Sequence, residues 1–132
     1  MVNSGKTNAG PTQRQLRAGE LIRHALAEIF LRGETGDPEL ERLDPSVVEV
    51  QMSPDLKIAT AYVRSLVAGK EQVLLEALNR NRKYIRGLVA PKVEMKFMPE
   101  IRFRIDTALD YAGKIDELLR SPAVARDLDP KK

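Results

Sequence analysis

Eight basic residues fall between Arg80 and Arg104: Arg80, Arg82, Lys83, Arg86, Lys92, Lys96, Arg102 and Arg104. Two acids, Glu94 and Glu100, share that stretch. Across the whole chain the balance is near even, 22 Lys and Arg against 19 Asp and Glu, so the skew is local. Clustered Lys and Arg neutralise phosphates and release counterions, which is the sequence-independent part of RNA affinity. The planar guanidinium adds a fork suited to phosphate and to stacking on bases. Arg80, Arg82, Lys83, Arg86 and Lys92 are therefore the candidate RNA-binding residues. The competing reading is a solvated helix face with incidental charge, in which Arg86 pairs with a helix acid. For Arg102 and Arg104, blunting an exposed sheet face or edge explains the charge as well as RNA does. Tyr84 reads first as packing at the helix margin and second as a base-stacking ring.

Other chemistry is sparse. With no Cys there is no disulfide framework and no thiolate metal site. The single His, His24, shares a helix face with Arg17, Glu20 and Glu28, which fits a solvated side chain. Asp37, Asp44, Asp55 and Asp106 stand where turns and caps favour Asp. No glycine-rich phosphate loop, metal-ligand spacing or nucleophile elbow is present. No catalytic residue, metal ligand or cofactor is assigned, and the chain is read as a non-enzyme. A small hydrolase and a protein-docking module remain as rival classes. The net charge of +3 and pI near 9.3 point only weakly to an anionic partner. No run is long and apolar enough to span a bilayer, and MVNSGKTNAGPTQRQ lacks the apolar centre of a secretory signal, so a cytoplasmic protein with no membrane partner is expected.

The elements that must position the basic cluster follow from periodicity. Residues 1–12 read as a disordered tail, 13–120 as one domain and 121–132 as a flexible tail. A first helix places Leu21, Ile22, Ala25, Leu26, Ile29 and Phe30 on one face and ends at Gly33 and Gly36. A short helical turn is expected around Pro38 to Leu43. Period two follows. Val48, Val50 and Met52 alternate with Glu49 and Gln51, and after the Ser53-Pro54-Asp55-Leu56 turn a second strand sets Ala59, Ala61 and Val63 against Ile58, Thr60, Tyr62 and Arg64. The central stretch, Lys70 to Val93, is helical, with Val73, Leu74, Ala77, Leu78, Ile85, Leu88 and Val89 as its apolar stripe. Asn81 falls inside that stripe, where an unpartnered amide costs about 1–3 kcal/mol. Two helices meeting at Asn81 are therefore expected, rather than one straight helix. Ile101, Phe103 and Ile105 alternate with Arg102 and Arg104 in a third strand that Pro99 confines to an edge, a bulge or a start. Thr107 and Asp110 open a last helix carrying Leu109, Ala112, Ile115, Leu118 and Leu119. A sheet of three strands buries one face under these helices, giving an α+β two-layer sandwich.

The order α-β-β-α-α-β is that of the type II KH fold. Three stretches go further: VVEVQMSPDLKIATAYVRSL with its Ser-Pro-Asp-Leu turn, KYIRGLV, and MPEIRFRIDTALDYAGKI. Over roughly Gln13 to Leu119 the chain resembles the ribosome-binding factor A family. That resemblance implies a type II KH-like domain plus a C-terminal helix, and a cytoplasmic, monomeric assembly factor. Its implied partners are the immature small (30S) ribosomal subunit and 16S rRNA, with a role in late 16S rRNA maturation and growth in the cold. A generic KH-like RNA-binding module outside ribosome assembly is the alternative. The family lacks the KH Gly-x-x-Gly loop and has an Ala-x-Gly break between its central helices. Here Asn81-Arg82-Lys83 takes that place, which adds charge but removes the glycine.

Overall fold

The computed structural model describes residues 10–107. Most of the expected N-terminal tail, the expected last helix and the expected C-terminal tail lie outside that range.

Helix α1 spans Gln13–Leu31. Its start is fixed by a reciprocal cap: Thr12 Oγ1 accepts from the Gln15 amide at 3.1 Å, and Gln15 Oε1 accepts from the Thr12 amide at 2.9 Å. The Gln15 side chain also donates to the carbonyl of Met52 at 2.9 Å, tying the helix start to the sheet. Gly33 and Gly36 follow the helix with positive φ, as its end requires. Ile22, Ala25, Leu26 and Ile29 are buried as the periodicity predicts, but Leu21 is half exposed and Phe30 only partly buried. The buried stripe runs instead through Gln15, Ala18 and Gly19, because small residues let α1 lie close to the sheet. Helix α2, Pro38–Leu43, is the expected short turn, capped by Asp37.

Strands β1 (Pro45–Met52) and β2 (Ile58–Ser65) form an antiparallel hairpin, and β3 (Glu100–Ile105) pairs parallel to β2, giving the order β1-β2-β3. The hairpin turn closes on Ser53, whose hydroxyl donates to Asp55 Oδ1 at 2.7 Å and accepts from the Ile58 amide at 3.0 Å. Ala59, Ala61 and Val63 face the core with no exposed surface, and Ile101 and Phe103 continue that face onto β3. In β1 the simple alternation fails. A bulge between Val47 and Glu49 shifts the register, so Val47 turns inward and Val48 is left 41% exposed.

Helices α3 (Glu71–Arg80) and α4 (Arg82–Val89) connect β2 to β3 and cover the inner face with α1. Leu74, Ala77, Leu78, Ile85 and Val89 are fully buried there. A short 3₁₀ turn, Ala90–Lys92, follows α4 and carries Pro91. The architecture is the α+β two-layer sandwich with type II KH order.

Candidate nucleic-acid interface

The two central helices meet at a single residue. Asn81 has φ −101° and ψ 11°, well away from helical values, and separates α3 from α4. Its side chain explains why a polar residue is tolerated in an apolar stripe. The amide nitrogen donates to the Ala77 carbonyl and to Asp37 Oδ2, each at 2.8 Å. Asp37 in turn caps α2, accepting from the Glu39 amide at 2.9 Å. Its carboxyl is held below the ordinary aspartate value, chiefly by the Asn81 amide, with the Glu39 N–H and Arg80 adding to the effect against the opposing desolvation. The sequence signals that Asn81 needs a partner. It does not reveal that the partner is Asp37, 44 positions earlier.

The five candidate RNA-binding residues do not share one environment. Arg80 turns to acids from α2 and its cap: Glu39 Oε1 lies at 2.7 Å and Asp37 Oδ2 at 3.4 Å. Lys92 lies between Glu34 at 3.4 Å and Glu28 at 3.6 Å. Arg86 pairs with no acid among the described residues. Its Nε and Nη2 donate to the carbonyls of Pro99 at 2.9 Å and Met98 at 2.7 Å, so it fastens the approach to β3 onto α4. Carbonyls carry no net charge, so the Arg86 cation is offset only through space, by the Glu100 carboxylate of the same cleft. Arg82 and Lys83 make no ion pair among the described residues. Arg82, Lys83 and Arg86 line one cleft of about 430 Å³ with Glu100 and Ile101. The Glu100 carboxyl there is held below its ordinary value, first by the hydrogen bond from Arg102, and further by the fields of Arg82 and Arg86. Tyr84, expected at the helix margin, is 55% exposed. Arg102 and Arg104 project from the open face of edge strand β3, and Arg102 pairs with Glu100 at 3.0 Å.

Arg82 and Lys83 occupy the first turn of α4, which contains no acid. A helix start favours anions, so two cations there work against the local dipole. Their placement gains nothing from that dipole and gathers positive charge along the cleft.

Comparison with known proteins gives the chain a family. The ribosome-binding factor A family profile matches residues 14–119. The chain belongs to the ribosome-binding factor A family. A ribosome-binding factor A from Methylobacterium nodulans is 56% identical over 123 residues, covering 93% of this chain and 91% of that one. The crystal structure of ribosome-binding factor A from Thermus thermophilus aligns with a TM-score of 0.58 at 27% identity, over 69% of this chain and 94% of that one. A homology model of the Thermus thermophilus protein, fitted into a cryo-EM map of a 30S–RbfA complex, aligns at 0.53 with 30% identity, over 66% of this chain and 89% of that one. Against the Ala-x-Gly break implied by family resemblance, this chain places its break at Asn81. Lys83, at the glycine's position, lies within α4 and has no positive φ.

Proposed function

We propose that this chain is a non-enzymatic assembly factor that binds the immature small ribosomal subunit through 16S rRNA, using the cleft at the α3–α4 break. Arg82 and Lys83 engage phosphates and Arg86, in no ion pair among the described residues, adds its charge. Arg80 and Lys92, tied to acids, contribute less. The observation that carries this reading is the pair Arg82–Lys83, outside ion-pair distance of any described carboxylate, Glu100 included, at a helix start that disfavours cations. Family membership supports the ribosomal partner, since a relative's structure has been fitted into a 30S complex. The same membership supports action in the cytoplasm, as a monomer and without a membrane, late in 16S rRNA maturation and with a bearing on growth in the cold. Among the described residues, no helix is long and apolar enough to cross a membrane.

Contacts of this kind give affinity and little sequence choice, so selectivity comes from RNA shape and from protein contacts on the subunit. The test is binding of an Arg82→Ala/Lys83→Ala variant to purified immature subunits across a salt series. Binding should weaken, and the slope of log affinity against log salt should fall by about 0.7–0.9 for each phosphate that the variant no longer neutralises. A folded variant that matches the wild-type chain at every salt concentration would remove this cleft from consideration.

A further inference from the structure

A second surface lies beside the cleft. The connection between α4 and β3 carries Phe97, which at 76% exposure is the most exposed aromatic side chain among the described residues. A single exposed apolar side chain is ordinary on a protein surface, so the significance of Phe97 lies in what surrounds it. Phe97 borders a hollow of about 580 Å³ that also takes in Leu56, Met95 and Met98. Those three are partly buried and packed against the core, so they form an apolar base beneath an open ring. Around them stand three exposed cations, Arg14, Lys57 and Lys96. None lies within ion-pair distance of a described carboxylate. Lys96 Nζ sits 5.6 Å from the centre of the Phe97 ring. Two acids share the hollow, Asp55 and Glu94. Asp55 is already engaged by the Ser53 hydroxyl and the Lys57 amide.

We propose that this hollow holds an unpaired RNA nucleotide, its base stacked on Phe97 and its flanking phosphates near Lys96, Lys57 and Arg14. Aromatic rings surrounded by cations bind single strands because every base has a π-face and every linkage a charge. An apolar side chain from a protein partner would use the methionines and leave the cations unanswered. The hollow is also joined to the cleft. Arg86 grips the carbonyls of Met98 and Pro99, and the Glu100 amide donates to the Lys57 carbonyl at 2.9 Å. One wall of the hollow is therefore anchored to the helix that carries Arg82 and Lys83. The two sites are thus held together through the Met98–Glu100 backbone. The inference rests on the RNA reading of the cleft and adds a preference for unpaired over paired RNA.

The chain contains no Trp, so Phe97→Trp in the full chain gives a single reporter at the hollow. Its emission should be quenched by a short oligoadenylate and not by the same strand paired with oligouridylate. Phe97→Leu keeps apolar bulk but removes the stacking face, and should lower oligoadenylate affinity roughly 5- to 150-fold, the range for one stacked base. Circular dichroism serves as the folding control for each variant. Equal binding by wild type and Phe97→Leu with unchanged Trp emission would overturn the hollow as a nucleotide site. If Arg82→Ala/Lys83→Ala still weakened binding in that case, the cleft reading would survive alone. Equal quenching by the duplex would overturn the preference for unpaired RNA. Quenching by RNA-stripped small-subunit proteins, without quenching by oligoadenylate, would assign the hollow to a protein partner and sink the proposal. A wild-type chain that binds neither oligoadenylate nor subunits would take the cleft reading down as well.

Discussion

At the scale of single residues, Asp37 joins two elements with its two oxygens. Oδ1 caps α2 and Oδ2 receives the Asn81 amide, so the helix break and the α2 connector are locked to each other. Its carboxyl titrates below the ordinary aspartate value in the folded chain. A depressed folded value means stability that is complete above the unfolded value and lost as pH falls through the folded one. Asn81→Ala should therefore lower the urea midpoint near neutral pH, and the difference from wild type should shrink once the solution is acidified below the aspartate range, about pH 3 and under. A difference that stays constant with pH would show that the Asn81–Asp37 bond does not carry the effect. Arg86 differs in kind. Both of its bonds go to carbonyls, so Arg86→Ala strips the Met98 and Pro99 oxygens of a charged donor, and a loss of about 1.5–3 kcal/mol is expected in urea melts. Arg86→Lys should recover only part of that loss, because an ammonium lacks the fork that reaches two acceptors. Arg82→Ala/Lys83→Ala, at one part-buried and one exposed position outside any ion pair among the described residues, should move folding by less than Arg86→Ala and is the cleaner background for binding experiments.

Among the elements, patterns of period 3.6 and 2 were enough to place α1, the central helical stretch and three strands in order, because each buries one face and exposes the other, while Asn81 split the central stretch and Pro38 marked the short α2. Three features escaped them. The β1 bulge did so because Val47 and Val48 are the same residue type, and only backbone register decides which one turns inward. Val48→Lys should accordingly be nearly neutral, within about 0.5 kcal/mol, whereas Leu78→Ala at a fully buried position should cost about 2–5 kcal/mol in the same denaturant series. Gly19 escaped for another reason. A helix interior normally gains about 1 kcal/mol from Gly→Ala. Here a Cβ at Gly19 would stand 2.5 Å from the Val50 carbonyl oxygen, a backbone atom that cannot step aside. Gly19→Ala should therefore destabilise by about 1–3 kcal/mol, opposite in sign to the propensity scale. The acids that engage Arg80 and Lys92 escaped because they come from α1, α2 and the connector, far outside any local window of charge. A window count finds the basic cluster, but only the folded chain separates Arg82 and Lys83 from neighbours already in ion pairs.

Over the whole molecule, a net charge of +3 is too small to steer an RNA by itself, so the uneven placement of charge matters more than the total. Three of the eight cations from Arg80 to Arg104, namely Arg80, Lys92 and Arg102, lie in ion pairs, and the remaining positive potential gathers where α4 begins and β3 approaches. The parallel pairing of β2 with β3 has a further consequence, in time rather than in space. β1 and β2 are joined by a short turn, but β3 cannot meet β2 until the whole α3–α4 crossover is in place. Contacts distant in sequence pay their loop-closure entropy first, so the hairpin forms early and β3 docks last. Ile101→Val should then speed unfolding about 2- to 12-fold while leaving the folding rate nearly unchanged, and Ala59→Gly should mainly slow folding, as read from the two arms of a chevron plot. The cleft and the hollow are both completed by residues that arrive with β3 or just before it. If β3 docks last, as the chevron would test, the final step of folding is also the step that assembles the proposed binding surface.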